Sequence, residues 1–499
     1  MKTKILFLNP PSLSRFDSAG SRFQATRKAK TMWYPTWLAY AAGLAETKFE
    51  VKLIDAPAEN INIHQLIREI SKFEPKLVIV NTSTPSFSND ISVCEEIYNY
   101  LGKDVKIVLT GPHVSVLPEE SLRSSESIWG VARKEFEYTI FELAEAIESG
   151  DENYEKILGL SWKSDNKIIH NPERPFIDDL DKLPFVTKVY KKHLNISKYY
   201  LAFALYPYVS IYSGRGCPAR CTFCLWPQTI SGRKFRMRSP ENVVEEMKYV
   251  SEELPEVKEI FFDDDTFTAN RERVHRICDL IRSEKVHITW SANARADLDL
   301  ETLKKMKDAG CRLLVVGYES GDQNILNNIK KGITIKQMEK FTQNAKKAGL
   351  MIHGTFIIGL PGENKETIKK TIEFAKKLNP DTVQFSVATP FPGTEFYNWC
   401  IKNNVLKTSD FKSWIDGSGY QSSIIEYPNL SAEEIVDAVD YATISFYFRP
   451  GYFLSLFKQI MKDRREISRI WLSGSEFLKY SIKYMFKRVI GRENEGIYH

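Results

Sequence analysis

Apolar and polar positions alternate along this chain in two long blocks. In the first, Ile5–Leu8, Val51–Ile54, Leu77–Asn81 and Lys106–Thr110 are short, nearly unbroken apolar runs. Stretches with helical spacing, such as Ile63–Phe73 and Asp90–Leu101, separate them. Unbroken runs mark strands buried on both faces, and their alternation with helices predicts a doubly wound, Rossmann-like α/β domain over residues 1–150. Such sheets bind ligands at the carboxyl ends of their strands. The turns expected there are Asn9-Pro10-Pro11, Asp55-Ala56-Pro57, Thr82-Ser83-Thr84-Pro85 and Gly111-Pro112-His113.

Residues 151–205 read as an ordered linker holding a hairpin, Leu158–Trp162 followed by Lys167–His170. From 206 to 400 a strand-then-helix unit recurs about six times, which predicts a partial (β/α)6 barrel. Its expected strands are Tyr208–Ser213, Glu259–Asp263, Ile288–Ser291, Leu313–Gly317, Met351–Ile358 and Thr382–Ala388. Residues 401–499 read as a helical C-terminal region that ends in a basic amphipathic tail.

Composition narrows the class. The chain has 499 residues, 43% hydrophobic and 27% charged, the mix of a globular protein of more than one domain. That mix excludes a disordered chain, a collagen-like repeat and a coiled coil. No apolar run reaches the ~18–20 residues of a membrane helix, and Met1–Pro10 reads as a buried first strand instead of a secretory signal. The expected location is therefore the cytoplasm. The charge is uneven: residues 449–499 carry 11 Lys/Arg against 5 Asp/Glu, whereas the first 448 carry 58 against 59. A neutral body argues against a nucleic-acid-binding enzyme.

Three of the seven cysteines, Cys217, Cys221 and Cys224, fall within eight residues after the first expected barrel strand. Three thiolates in CxxxCxxC spacing suit three corners of a 4Fe-4S cluster, leaving one iron open to chelate a small molecule. A zinc loop would need a fourth ligand, and no Cys or His stands at a suitable spacing. Cys94, Cys278, Cys311 and Cys400 are scattered over expected elements and read as small buried hydrophobes.

This motif, with Phe223 before its last cysteine at the end of a first barrel strand, resembles the radical S-adenosylmethionine (SAM) superfamily. The resemblance implies that the open iron binds SAM and that one electron cleaves it to methionine and a 5′-deoxyadenosyl radical. It extends to four later strand ends: Phe262-Asp263-Asp264-Asp265-Thr266-Phe267, Asn293-Ala294-Arg295, Gly317-Tyr318-Glu319-Ser320-Gly321 and Gly359-Leu360-Pro361-Gly362-Glu363. The implied SAM contacts are Phe223, Asp264, Asp265, Asn293, Arg295, Glu319 and Gly359. The residue types suit the ligand: carboxylates meet its cationic ends, a guanidinium meets its carboxylate, and glycine lets backbone approach the adenosine.

The N-terminal block resembles the cobalamin-binding domain often fused ahead of such barrels. Thr82, Ser83, Thr84, Gly111, Pro112 and His113 stand where that domain meets the cofactor. The cobalt-ligating pattern Asp-x-His-x-x-Gly is missing, since Asp55 is followed by Ala56-Pro57-Ala58-Glu59-Asn60. Cobalamin would bind here without a histidine ligand, or the domain has kept its fold and lost the cofactor. The first 150 residues lack a three-cysteine set, which argues against methylthiotransferases.

Two amphipathic helices are expected in the tail, Tyr452–Trp471 and Glu476–Ile490. In the second, Leu478, Ile482, Met485 and Val489 share a face beside Lys479, Lys483 and Lys487. Such faces suit an anionic membrane surface, or a helix packed on the barrel with its lysines snorkelling. The segments Trp33–Leu38, Thr82–Phe87, Cys221–Thr229 and Phe261–Phe267 resemble one subgroup, the hopanoid-biosynthesis-associated radical SAM family. That resemblance implies conversion of glucosaminyl-bacteriohopanetetrol to the bacteriohopanetetrol cyclitol ether by sugar ring contraction. It also implies a hopanoid lipid substrate, a reducing protein such as a flavodoxin or ferredoxin, and a peripheral position on the cytoplasmic face of the inner membrane. Two other readings stand beside it: a cobalamin-dependent radical SAM methyltransferase acting on a lipid or natural product, and a non-catalytic membrane-surface binding protein.

Overall fold

The computed structural model describes residues 2–12, 31–165, 167–408, 410–415 and 420–490, with side chains through Ile482 and at Tyr484 in the last helix. The first sheet has seven strands: β1 (Lys4–Asn9), β2 (Glu50–Asp55), β3 (Leu77–Asn81), β4 (Lys106–Thr110), β5 (Gly130–Ala132), β6 (Leu160–Ser164) and β7 (Lys167–His170). Their order is β2-β1-β3-β4-β5-β6-β7, parallel through β5 and antiparallel beyond it. Ile5–Leu8 and Leu77–Val80 are fully buried because helices cover both faces. Thr36–Glu46 and Glu137–Ser149 pack on one face, and Ile63–Phe73 and Phe87–Leu101 on the other.

Three features escape the apolar pattern. The strand β5 has only three residues. The helix Thr36–Glu46 buries ten consecutive residues, so no polar stripe marks its period. The expected hairpin forms, with its first strand shifted to Leu160–Ser164, and it extends the first sheet through β5.

The second sheet is wholly parallel. Its first strand is β8 (Tyr208–Ile211). A small antiparallel ribbon follows, β9 (Gly214–Arg215) with β10 (Arg236–Met237). Then come β11 (Glu259–Phe262), β12 (Thr289–Ala294), β13 (Cys311–Glu319), β14 (Met351–Ile358) and β15 (Thr382–Val387). The order β8-β11-β12-β13-β14-β15 makes a curled six-stranded half-barrel with helices outside. Among the described residues β8 and β15 do not pair.

The C-terminal helices cover that open side. Tyr447, in the helix Ala432–Tyr447, exchanges two hydrogen bonds with the backbone of Val383 on β15 (2.9 and 2.7 Å). The last helix, Glu466–Ile490, reaches the other side, where Arg469 and Ser473 donate to the Ala202 carbonyl (3.0 and 3.3 Å). Buried Arg312 on β13 clamps this helix to the sheet by pairing with Glu259 on β11 and with Glu466, both at 2.8 Å. The tail breaks elsewhere than expected: helices span Pro450–Lys462 and Glu466–Ile490, and the chain is extended at Asp463 between them. The expected contributions of Lys483, Met485, Lys487 and Val489 lie outside the described side chains. Cys94, Cys278, Cys311 and Cys400 are free and buried.

Candidate active site

The carboxyl ends of the half-barrel strands converge on the loop that follows β9. Gly216 has φ +87°, and a Cβ there would lie 2.2 Å from the Lys234 carbonyl oxygen, so only glycine lets the chain turn into the cysteine segment. Asp265 fixes that turn by accepting from the Gly216 N–H (3.0 Å) and the Ser231 hydroxyl (2.7 Å). Gln228 donates to the carbonyls of Thr222 and Cys224 (3.1 and 2.7 Å), and the Thr222 N–H donates to the Ile329 carbonyl (3.0 Å). The loop is therefore held on both sides of its three free thiols. Burial pushes the Cys217 and Cys224 thiols up, with the Asp265 carboxylate adding to it. Thiols so placed become thiolates when a bound metal supplies positive charge.

Cys217, Cys221 and Cys224 line one end of a cavity of about 1050 Å³ together with Phe223, Asp265, Asn293, Arg295 and Glu319. These eight residues come from the cysteine loop and three successive strand ends. Asn293 donates to the Asp264 carbonyl (2.9 Å), and Arg295 donates to the Lys331 carbonyl (2.7 Å). Lys331 pairs with Glu319 at 2.7 Å, both nearly buried. Despite its burial, the lysine's pKa is held up by Glu319 and by the nearby Cys221. Nothing in the sequence marks Lys331, because Lys330-Lys331-Gly332 reads as an ordinary charged loop.

Asp264 and Gly359 are placed differently, and neither lines the cavity. Asp264 turns back to accept from the Ser213 N–H and hydroxyl, both at 2.6 Å. Burial raises its pKa to about 6, against the opposing charge of Arg273. Gly359, at φ +99°, donates its N–H to Glu363 (2.5 Å). Further along the cavity, His353 on β14 is buried and holds Thr382 through Nδ1 (2.8 Å), while its Nε2 has no partner.

The carboxyl edge of the first sheet faces this loop. The short helix Pro112–Val116 packs against Trp226–Thr229, which directly follows the cysteines. Trp226 lines the cavity and stacks on Trp37 at 5.7 Å, 7° from parallel. Trp33 lines the cavity too, whereas Trp37 does not. Thr82 and Ser86 both donate to buried Asp90 (2.6 and 2.5 Å), Ser83 bonds Ser86 (3.0 Å), and Thr84 meets His113 Nδ1 at 3.2 Å. His113 is buried between the rings of Phe87 and Phe411.

The family model of the Radical SAM superfamily matches residues 211–375, and that of the B12 binding domain matches residues 25–144. An uncharacterized methyltransferase of Pyrococcus horikoshii is 36% identical over 450 residues, covering 90% of this chain and 93% of the relative. The chain belongs to the radical SAM family that carries a B12 binding domain. The hopanoid C-3 methylase of Methylococcus capsulatus is 27% identical over 246 residues, 48% of this chain and 45% of that protein. A radical SAM methyltransferase structure from Kitasatospora setae, with tryptophan and a SAM analogue bound, shares the fold at TM-score 0.68 and 17% identity, covering 90% of each chain.

The protein is thus a radical SAM enzyme that uses a 4Fe-4S cluster and SAM, and the non-catalytic reading is set aside. The residues fit the cluster: three unpaired thiols share one pinned loop at a cavity wall. Among the described residues no three His, Cys, Asp or Glu side chains converge on a single-ion site, and ligands to three separate corners of a cube need no such convergence. At the first sheet's edge the group that fits a cofactor is His113, whose Nε2 is buried without a partner; Gly111, at φ +122°, is required by the turn itself, since a Cβ there would lie 2.2 Å from the Thr82 carbonyl oxygen. Asp55 is committed to Asn9 and Tyr199, both at 2.7 Å, and does not orient a histidine.

Proposed function

We propose that this enzyme is a cobalamin-dependent radical SAM methyltransferase acting on a bulky, largely apolar substrate. The observation that carries this reading is the cavity, which runs from the cysteine loop to apolar walls built by the C-terminal helices; Thr82–Thr84 and Gly111–His113 do not line it, and the B12 domain meets it through Trp226, whose helix packs against Pro112–Val116. The relatives described as methyltransferase and methylase support the same chemistry. When bound, the cluster and SAM supply the 5′-deoxyadenosyl radical and cobalamin supplies the methyl group.

In this reading Cys217, Cys221 and Cys224 ligate the cluster. Arg295 and Lys331 face the SAM carboxylate, Asp265 and Glu319 face its cationic ends, and Asn293 and Phe223 border the ligand. Asp264 acts at one remove by fixing the Ser213 backbone, and Gly359 by donating, with Leu360, to the Glu363 carboxyl that holds this turn. Thr82, Ser83, Thr84, Gly111, Pro112 and His113 form the surface for cobalamin. A flavodoxin- or ferredoxin-type protein provides the electron. No described helix is long and apolar enough to cross a membrane.

A second reading, ring contraction of glucosaminyl-bacteriohopanetetrol to the cyclitol ether, is favoured by the cavity's polar end and apolar body, which match a sugar-headed polycyclic lipid. One experiment separates the two. The reconstituted enzyme, reduced anaerobically with SAM, is assayed for 5′-deoxyadenosine and S-adenosylhomocysteine, with and without cobalamin and the hopanoid. Cobalamin-dependent S-adenosylhomocysteine is the expected result. Deoxyadenosine that rises with the hopanoid, without that product, would transfer the assignment to ring contraction.

A further inference from the structure

Exposed apolar surface is concentrated at one place. Of twelve large hydrophobic side chains found exposed among the described residues, nine lie between Phe448 and Ile482. Phe453, Leu454, Phe457 and Met461 share a face of the helix Pro450–Lys462, Met461 being 71% exposed. Ile467, Trp471, Leu478 and Ile482 share a face of the following helix, with Trp471 75% exposed. Folded proteins do not leave so much contiguous apolar surface in water without a use for it.

Two further observations say what covers it. The first is charge: exposed Lys458 and Arg464 flank these side chains, within a segment whose basic residues outnumber its acidic ones by 11 to 5. Like charge disfavours a second copy of the chain, whereas an anionic surface complements it. The second is continuity. Phe453 and Leu478 are half exposed and also line the cavity, so the cavity reaches the surface on this face. From there its wall runs inward past Leu456 and Phe477 to the polar end at Arg295 and Glu319.

We propose that this face docks on an anionic phospholipid bilayer, and that the cavity takes an amphiphilic lipid from it between the helices Pro450–Lys462 and Glu466–Ile490. The polar head enters first and reaches the cysteine end, while the apolar body trails along the C-terminal helices. The lipid-loading part rests on the cavity being the substrate site, as in the proposed function; the docking part does not.

The test uses the full-length reconstituted protein. Co-sedimentation with phosphatidylglycerol–phosphatidylcholine vesicles is compared with phosphatidylcholine alone, for the native chain and for a Phe457→Ser/Met461→Ser/Trp471→Ser variant. None of these three residues lines the cavity. The native chain binds the anionic vesicles and the variant binds them about tenfold more weakly. Brominated lipid quenches tryptophan fluorescence in the native chain, and the quenching falls in Trp471→Phe. Unchanged substrate-free SAM cleavage shows that the variant is folded. Native and variant chains that sediment alike, or a dimer that the triple substitution dissociates, would overturn the proposal. Vesicle binding without methyl transfer would leave the docking intact and remove the proposed function.

Discussion

Arg215 and Glu137 form an ion pair at 2.7 Å across the two halves of the molecule, with neither side chain more than 2% exposed. Glu137 opens the helix after β5 of the first sheet, and Arg215 stands two residues before Cys217. Arg215 lies over the rings of Trp37 and Tyr40, at 4.3 and 5.0 Å. Glu135 accepts two bonds from Arg236 on the opposite strand of the ribbon (2.7 and 2.8 Å). The B12 domain thus grips both strands of the ribbon from which the cysteine loop springs.

Replacing Glu137 with alanine therefore leaves Arg215 buried with a weaker set of partners. Breaking one side of a buried pair costs about 3–5 kcal/mol. The expected outcome is a lower unfolding midpoint in denaturant and less iron retained after reconstitution. Wild-type iron content in a destabilised variant would show that the grip is structural alone.

Lys331→Met removes the partner of nearly buried Glu319 and a cation beside Cys221. SAM binding by the reconstituted enzyme is expected to weaken about tenfold or more, the scale of one lost charge-assisted contact. Equilibrium dialysis against SAM measures it. Glu319→Gln, which keeps a hydrogen-bond acceptor for Lys331, should fall between the variant and the native protein.

Much of this arrangement was legible in the chain because its chemistry is local. The cysteines lie in one loop, and the acidic and Asn-x-Arg motifs sit at strand ends whose apolar runs are unmistakable. Arg215, Glu135, Glu137 and Lys331 were not legible: each looks like a solvated charge until distant chain segments bury it. The roles of Asp264 and Asp265 also could not be separated in advance. Adjacent carboxylates at a strand end point in different directions, one to Ser213 and the other to Gly216 at the cavity wall. The tail's break at Asp463 follows from the Arg312–Glu466 anchor, a contact 154 residues apart.

Glu363 gives the protein an alkaline weakness. Burial raises its pKa from 4.5 to about 8, although two N–H groups, of Gly359 and Leu360, favour the charged form. The native state therefore holds a proton that the unfolded chain loses above about pH 4.5. Stability from this group is complete below that value and declines as pH rises toward 8, by at most ~1.4 kcal/mol per pH unit. Glu363→Gln keeps an acceptor for both N–H groups without the proton. Urea melts should find the variant close to the native chain at acidic pH and more stable than it at alkaline pH. Parallel pH profiles for the two proteins would contradict this.

Gly111 adopts φ +122°, and an added Cβ would meet the Thr82 carbonyl oxygen at 2.2 Å, well inside any real contact. That contact joins the β3 and β4 turns and sets where Pro112 starts its helix. A side chain at 111 must push the two turns apart or turn the peptide, and either movement displaces His113 from Thr84 and from its place between Phe87 and Phe411. The cysteine loop is fixed by its own bonds to Asp265, Gln228 and Ile329, so it should tolerate the change. Gly111→Ala is thus expected to keep its iron and its substrate-free SAM cleavage while losing about tenfold or more in cobalamin affinity, the scale of one displaced contact set. Corrin absorbance retained after gel filtration measures the loss. A variant that retains native cobalamin content would move the corrin site away from this edge, and one that loses iron as well would show that the two halves do not tolerate independent change.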